Sequence, residues 1–321
     1  MTPLVWAALG WGAAGGLGAG VAIALAALFG VWGERKVAAR IQMRLGPQQA
    51  GPFGLLQTLA DTIKLVLKEE FTPDRADAVL FRRAPLIVFV PIALSLVVIP
   101  LSAGFAPLDI SVGMLFFLAV PSVSVIGILL AGWSSGNTYA TLGGMRGAAQ
   151  MISYEVPRAI SVLAMVVLAG SMRPVAVMAA WRWWWLPLTF VGFVVYLISS
   201  IAEMNRGPFD LPEAESELVA GYFADYAGIR WALFMMSEYG ALVGASLFGA
   251  AIFLGGANGV SGVLGGLIVL AKAVLLATIV MWVKWTFPRF RPDQLMSLAW
   301  KVLTPLALVQ LLVVGVVAAW L

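Results

Sequence analysis

Eight long apolar runs recur along the chain, separated by more polar stretches of very unequal length. They cover about residues 3–30, 84–103, 112–132, 147–170, 183–202, 229–253, 263–286 and 302–321. Each has room for the ~20 residues that an α-helix needs to cross the hydrocarbon core. The pattern predicts an all-α, polytopic membrane protein with about eight transmembrane helices. It is read as a single membrane domain over 1–321, with no stretch long enough for a separate soluble domain. No basic segment precedes the first run and no clear cleavage site follows it, so it is read as a retained span.

Three polar segments stand out: 31–83, 203–228 and 287–301. In the first, Gly46-Pro47 and Gly51-Pro52-Phe53-Gly54 break any helix and force tight turns. From Leu55 the period becomes helical. Leu55, Leu59, Ile63, Val66 and Leu67 fall on one face, and Gln57, Asp61, Lys64 and Lys68 on the other. This predicts an amphipathic helix on the cytoplasmic side, lying in the membrane surface. It is either an anchor that clamps the bundle or a doorway for an amphipathic lipid, and the pattern alone favours the anchor.

The second segment places six carboxylates within 23 residues: Glu203, Asp210, Glu213, Glu215, Glu217 and Asp225. Asp210 is expected to cap a helix with Pro212 in its first turn and Glu213 as its third residue. Glu217 then follows Glu213 by one turn on the same face. Like charges at that spacing repel, which favours protonating one of them. Folded into the bundle, these acids form a chain of proton-binding groups; left in solvent, they are ordinary surface charge.

Composition sharpens the picture. Hydrophobic residues make up 61% of the chain and charged residues 11%, against roughly 25% charged in soluble proteins. The chain has no Cys and no His. That excludes Cys-ligated iron–sulfur clusters, His-ligated haem, Cys/His zinc sites and thiol nucleophiles, and no metal site is expected. If the protein serves redox chemistry, the electron carrier is a bound small molecule or sits on a partner.

Sixteen of the 20 basic residues fall on one side of the predicted bundle, which by the positive-inside rule faces the cytoplasm. Within the spans the ionisable residues are Glu155, Arg158, Glu238 and Lys272. Glu155 and Arg158, three apart, are expected to neutralise each other. Glu238 and Lys272 need partners from other helices, and a proton-path role is as good a reading as a structural one. Trp181, Trp183, Trp184, Trp185, Trp282, Trp285 and Trp320 are read as interfacial anchors. The chain shows no convincing internal repeat, which argues against a stand-alone transporter.

At these residues the sequence resembles the quinone-site membrane subunit of respiratory complex I, the proton-pumping NADH:quinone oxidoreductase. The match runs from Glu34 through Gln42, Arg44, Gly46-Pro47, Gly51-Pro52 and Gly54 to Asp61, and on to Lys64, Lys68 and Glu69. It continues through Arg146 with Gln150 to Glu155, Ala202-Glu203 to Leu218, and Trp231 to Tyr239. It ends with Pro288-Arg289-Phe290-Arg291, Asp293 to Met296 and Trp300-Lys301. Several residues depart from the family pattern: Gln48, Thr58, Asp225, Lys284, Pro292, and Pro157-Arg158 directly after Glu155. A cation at 158 is expected to hold Glu155 ionised.

The resemblance implies a long chamber entered from the bilayer, in which a quinone is reduced by an iron–sulfur cluster on a peripheral partner. The doorway then becomes the better reading of 31–83. Gln42, Arg44, Phe53, Asp61, Glu203, Arg206, Phe209 and Asp210 are expected along the chamber. Glu155, Glu213, Glu215, Glu217, Asp225, Glu238 and Lys272 are expected to relay protons. Quinone is the substrate, with FMN and iron–sulfur clusters on partner subunits. The partners implied are other membrane-arm subunits, the quinone-site peripheral subunits and membrane lipid, with no nucleic acid. The expected location is a bacterial plasma (inner) membrane with the large loops cytoplasmic. The chain leaves open a homologous membrane subunit of an energy-converting hydrogenase or of a complex with another donor, because the donor lies on other subunits. A pure assembly scaffold is the remaining rival.

Overall fold

The computed structural model describes residues 3–213, 215–257 and 259–320, with backbone alone for 3–17, 215 and 216. The elements in chain order are α1 (Pro3–Ile41), α2 (Leu56–Leu67), α3 (Ala78–Leu96), α4 (Gly113–Ser134), α5 (Thr138–Ala169) and α6 (Pro174–Ala180). They continue with α7 (Trp185–Glu203), α8 (Glu215–Leu218), α9 (Gly228–Ile252), α10 (Gly262–Thr286), α11 (Pro292–Ser297), a π-helical turn (Leu298–Leu303) and α12 (Thr304–Trp320). Among the described residues, seven helical segments are long and apolar enough to span a membrane. With 39 residues, α1 has the length for an eighth. At 1.5 Å per residue it runs about 58 Å, nearly twice the hydrocarbon core.

Helix ends overshoot the apolar runs where side chains cap them. Asp77 accepts the backbone N–H groups of Val79 (3.0 Å) and Leu80 (3.2 Å) at the start of α3. Asn137 accepts from Tyr139 at the start of α5 (3.0 Å). Each satisfies donors that a helix start leaves orphaned.

Two helices organise the bundle. α5 packs against α4, α7 and α12, while α9 packs against α1, α3 and α10. Small residues allow the close approaches that lipid-embedded helices rely on. On α4, a Cβ added at Gly127 would lie 2.5 Å from Val88 Cγ2 and 2.9 Å from its backbone N. Lipid-facing apolar residues remain exposed on α10 and α12, such as Leu267, Val274, Leu312 and Val316.

At one end of the bundle the three polar segments converge. The Phe290 backbone N–H donates to the Pro208 carbonyl (3.1 Å). The Phe209 ring stacks on Phe290 with centroids 5.4 Å apart. The Tyr154 hydroxyl donates to the Leu295 carbonyl (2.8 Å), tying this end to α5. Here one expectation fails. No helix follows directly on Asp210; α8 starts only at Glu215. Gly221, at φ +61°, folds the chain back so closely that a Cβ there would sit 1.7 Å from the Pro212 carbonyl oxygen. This doubling-back takes the place of the helix, and Glu213 and Glu217 do not share a helical face.

α2 forms as the pattern predicts. Leu59, Ile63, Val66 and Leu67 turn outward. Asp61 faces α1, where its carboxylate accepts from Arg35 at 2.7 Å.

Candidate functional site

α1, α2, α9 and the end of α10 enclose a cavity of about 390 Å³. One wall is apolar, built from Ala27, Leu28 and Val31 of α1, Leu65 of α2, and Met235 and Met236 of α9. Towards the polar end the lining changes to Glu34, Arg35, Arg44, Asp61 and Tyr239. Such a cavity suits a ligand with a greasy body and a polar head.

Behind the polar lining lies a buried ion network. Glu34 accepts from Lys284 Nζ (2.6 Å), the Tyr239 hydroxyl (2.7 Å) and Arg206 Nη1 (3.2 Å). Arg206 also pairs through Nε with Glu238 (2.6 Å), and its guanidinium lies 4.4 Å from the centre of the Tyr239 ring. The Arg206 side chain is 0% exposed and that of Glu34 6%. Burial alone would lower the Arg206 guanidinium, but Glu238 and Glu34 outweigh it and hold it above its ordinary value. Two acids and two bases leave the network neutral.

Two smaller cavities continue inward. One of about 40 Å³ is lined by Glu238, Glu213, Asn205, Tyr222 and Glu203. The next, about 60 Å³, is lined by Glu203, Arg158, Glu155, Ser122 and Ser200. Met235 is common to the large cavity and the first small one, while Glu203, Met204 and Met151 wall both small ones. Pro121, within α4, also lines the innermost cavity. Having no backbone N–H, it cannot close the helical bond to the Phe117 carbonyl. Burial pushes the Glu213 carboxyl well above its usual range, and repulsion from Glu238 and Asp210 adds to this. Asp210 is also pushed up by burial, against the pull of Arg289 and Lys284.

A family model described as NADH dehydrogenase matches residues 16–315. The chain belongs to that family. It is 48% identical over 297 residues to a subunit of the NADH-quinone oxidoreductase of Geobacillus kaustophilus, covering 91% of this chain and 89% of the relative. It is 47% identical over 294 residues to the same-named protein of Bacillus cereus strain B4264, covering 90% and 88%. The same-named protein of Bacillus thuringiensis subsp. konkukian is 48% identical over the same shares. These NADH dehydrogenase relatives are subunits of an oxidoreductase complex, as the sequence resemblance implied.

Of the eight residues expected along a chamber, Arg44 and Asp61 line the large cavity, and Arg206 stands one layer behind it. Gln42 is exposed and accepts from Arg44 Nε (2.6 Å). The Phe53 ring is exposed, and its carbonyl accepts from Trp32 Nε1 (3.1 Å), which holds the turn at its positive φ of 55°. Phe209 is buried between Tyr154 and Phe290. Asp210 lies near Arg289, and Glu203 belongs to the inner cavities.

Of the seven expected relay acids and bases, Glu155, Glu213 and Glu238 line the inner cavities. Glu217 instead forms an exposed ion pair with Arg146 (2.7 Å), and the hydrogen bond and charge of Arg146 hold it below the usual carboxylate value. Asp225 accepts from the Asn137 side chain (3.2 Å). Lys272 donates to the carbonyls of Leu254 (2.8 Å) and Gly256 (2.7 Å), towards the other end of the bundle, and lines none of the three cavities. The Glu215 side chain lies outside the described residues.

Arg158 does not turn to Glu155. It pairs with Glu203 on α7, while Glu155 accepts from Ser122 of α4. Sequence reasoning named Glu34 and Lys284 only as parts of motifs. Their clustering with Tyr239 could not be found from helical spacing, because the partners of Glu34 lie 172, 205 and 250 positions away.

Proposed function

We propose that the chain forms the membrane wall of a quinone chamber in a proton-pumping NADH:quinone oxidoreductase. The observation that carries this is the 390 Å³ cavity, apolar along α1 and α9 and ionic at the end where the polar segments converge. Relatives named as parts of an NADH-quinone oxidoreductase support the substrate class. The isoprenoid tail lies along the apolar wall, and the head group reaches Arg44, Asp61 and Tyr239. Electrons come from a partner, because this chain has no Cys or His to ligate an iron–sulfur cluster. Flavin and clusters therefore sit on other subunits of a bacterial plasma-membrane complex, docked against the cytoplasmic polar end.

Reducing one quinone to its quinol consumes two electrons and two protons. The chamber is poorly solvated, so the charge change is felt by nearby carboxylates. The Glu34–Arg206–Glu238–Lys284 network passes that change to Glu213, then to Glu203 and Glu155. Moving a charge across the membrane costs ~2.3 kcal/mol per 100 mV, so several coupled sites are needed.

The test is photolabelling with an azido-quinone in the assembled complex. Label on α1, α2 or α9 supports the chamber, and displacement by excess quinone confirms its specificity. Labelling confined to other subunits refutes it.

A further inference from the structure

The innermost cavity contains one feature that the relay does not explain. Its two carboxylates, Glu155 and Glu203, face one cation, Arg158, which is 6% exposed and whose Nη1 contacts Glu203. Among the described residues, the other groups around it bring no further charge. α4 supplies Ser122 and Ser124, α3 Ile92 and Ser95, and α9 Ala241, Gly244 and Ala245. The Tyr196 hydroxyl of α7 is close enough to feel Arg158, but its proton is already donated to the Ala245 carbonyl (2.9 Å). The next charges, Glu213 and Glu238, lie across the Glu203 wall in the neighbouring cavity.

Among the described residues, two polar atoms here have no hydrogen-bond partner, Arg158 Nε and Glu203 Oε1. The cavity has about 60 Å³ of space, enough for about two waters. A buried guanidinium left half-satisfied on purely structural grounds is costly, since an apolar side chain of similar length fills the same place at no such cost.

Resting on the relay reading above, we propose that Arg158 is a positioning residue for proton transfer. Paired with Glu203, which walls both inner cavities, it holds Glu203 as an ionised acceptor while Glu155, one turn away on the same helix, carries the exchangeable proton. Without the cation, two carboxylates would share a poorly solvated site and keep one proton between them, closing the acceptor.

The experiment compares Arg158→Leu, Arg158→Lys and the double variant Arg158→Leu/Glu203→Gln in the whole complex, reconstituted in proteoliposomes. Protons moved per quinone reduced and the pH profile of the coupled rate are both read. Arg158→Leu is expected to lose at least about two-thirds of the proton ratio, with the acid-side midpoint moving up by about 1–3 pH units. Arg158→Lys, which keeps the charge, is expected to restore both readouts to near the parent. If Arg158→Leu fails to assemble, the double variant takes its place. It removes both buried charges, and it is expected to assemble with a parent-like midpoint but a lowered proton ratio.

A parent-like profile in Arg158→Leu overturns the inference, as does a Lys variant that behaves like Leu or a double variant with the parent's full proton ratio. Glu213→Gln separates the two levels. If it pumps normally, the relay itself fails; if it loses pumping while Arg158→Leu keeps the parent profile, only the role of Arg158 falls.

Discussion

Replacing Glu34 by Gln removes the acid on which three donors converge. Arg206 and Lys284 are then left to share Glu238, and Lys284 Nζ is 4.0 Å from that carboxylate. At 2.6 Å and an effective dielectric of ~20, the Glu34–Lys284 attraction is about 6 kcal/mol before desolvation. Net losses on breaking one partner of a buried pair run at about 3–5 kcal/mol, because the surviving charge stays buried. Lys284→Met leaves the opposite imbalance, two acids against Arg206, with a cost at the lower end of that range because Lys284 is 26% exposed. The double variant returns the network to neutrality as an Arg206–Glu238 pair. Its cost is therefore expected to fall short of the summed single costs by about 1.5–3 kcal/mol. SDS titration of the purified complex in mixed micelles, with release of this chain as the signal, measures all four corners of the cycle. A coupling below about 0.5 kcal/mol would refute the view that these residues form one unit.

Ala232→Trp places an indole in the large cavity, whose lining includes Ala232. Quinone reduction is expected to fall at least about tenfold, while electron transfer from NADH to a water-soluble acceptor is unchanged; equal loss of both would point to misassembly instead. Asp61→Asn breaks a pair whose side chains are 43% and 37% exposed, so stability is expected to change by less than about 1 kcal/mol. KM for a short-chain quinone should rise several-fold, and an unchanged KM counts against contact with the head group. Glu217→Gln, which breaks only an exposed pair, is expected to pump like the parent; Glu213→Gln is expected to lose proton translocation. The raised Glu213 and Asp210 values mean that the folded loop binds protons more tightly than the unfolded chain. Their contribution is fully present below the unfolded values of 4.5 and 3.8, and it is lost as pH rises towards the folded ones. Amide exchange over 204–227 should therefore be slower at about pH 5 than at about pH 8, after correction for intrinsic rates, and Glu213→Gln should flatten the difference. A pH-independent parent would contradict the assignment.

The spans were legible because ~20 apolar residues in a row leave few alternatives. Their ends were less so. Thr138 begins α5 well before the apolar run, and the signal that places it there is the polar cap Asn137. α2 was legible in both faces, since its period needs no knowledge of distant residues. The site was legible only in part. Asp61 and Arg44 could be named from motifs, but the fold decides their partners. The pair that spacing favours on α5, Glu155 with Arg158, gives way to Arg158 with Glu203 because the guanidinium meets α7. Glu213 and Glu217 look equivalent in sequence, yet the fold-back at Gly221 helps put one among buried acids and the other beside Arg146.

Charge balance changes with depth, and this gives the cavities a direction. Next to the large cavity two acids meet two bases, so that network can stay fully ionised without a proton. Beyond it Glu213, Glu203 and Glu155 line the small cavities with Arg158 as the cation among them. Three half-buried carboxylates face one guanidinium there, so this layer, unlike the outer one, carries an excess of acids. On the proposed reading, a negative charge arriving at the head-group end perturbs the neutral network first. On that reading the network responds by drawing a proton from the chamber or by shifting Arg206 between Glu34 and Glu238. Because Glu238 also faces Glu213 across the first small cavity, the second response changes how tightly the inner acids hold their protons. Stability gives no reason for this arrangement, since apolar side chains would fill the same volume at lower cost. The coupling proposed above does, and it needs the neutral layer to stand between the chamber and the acid-rich layer.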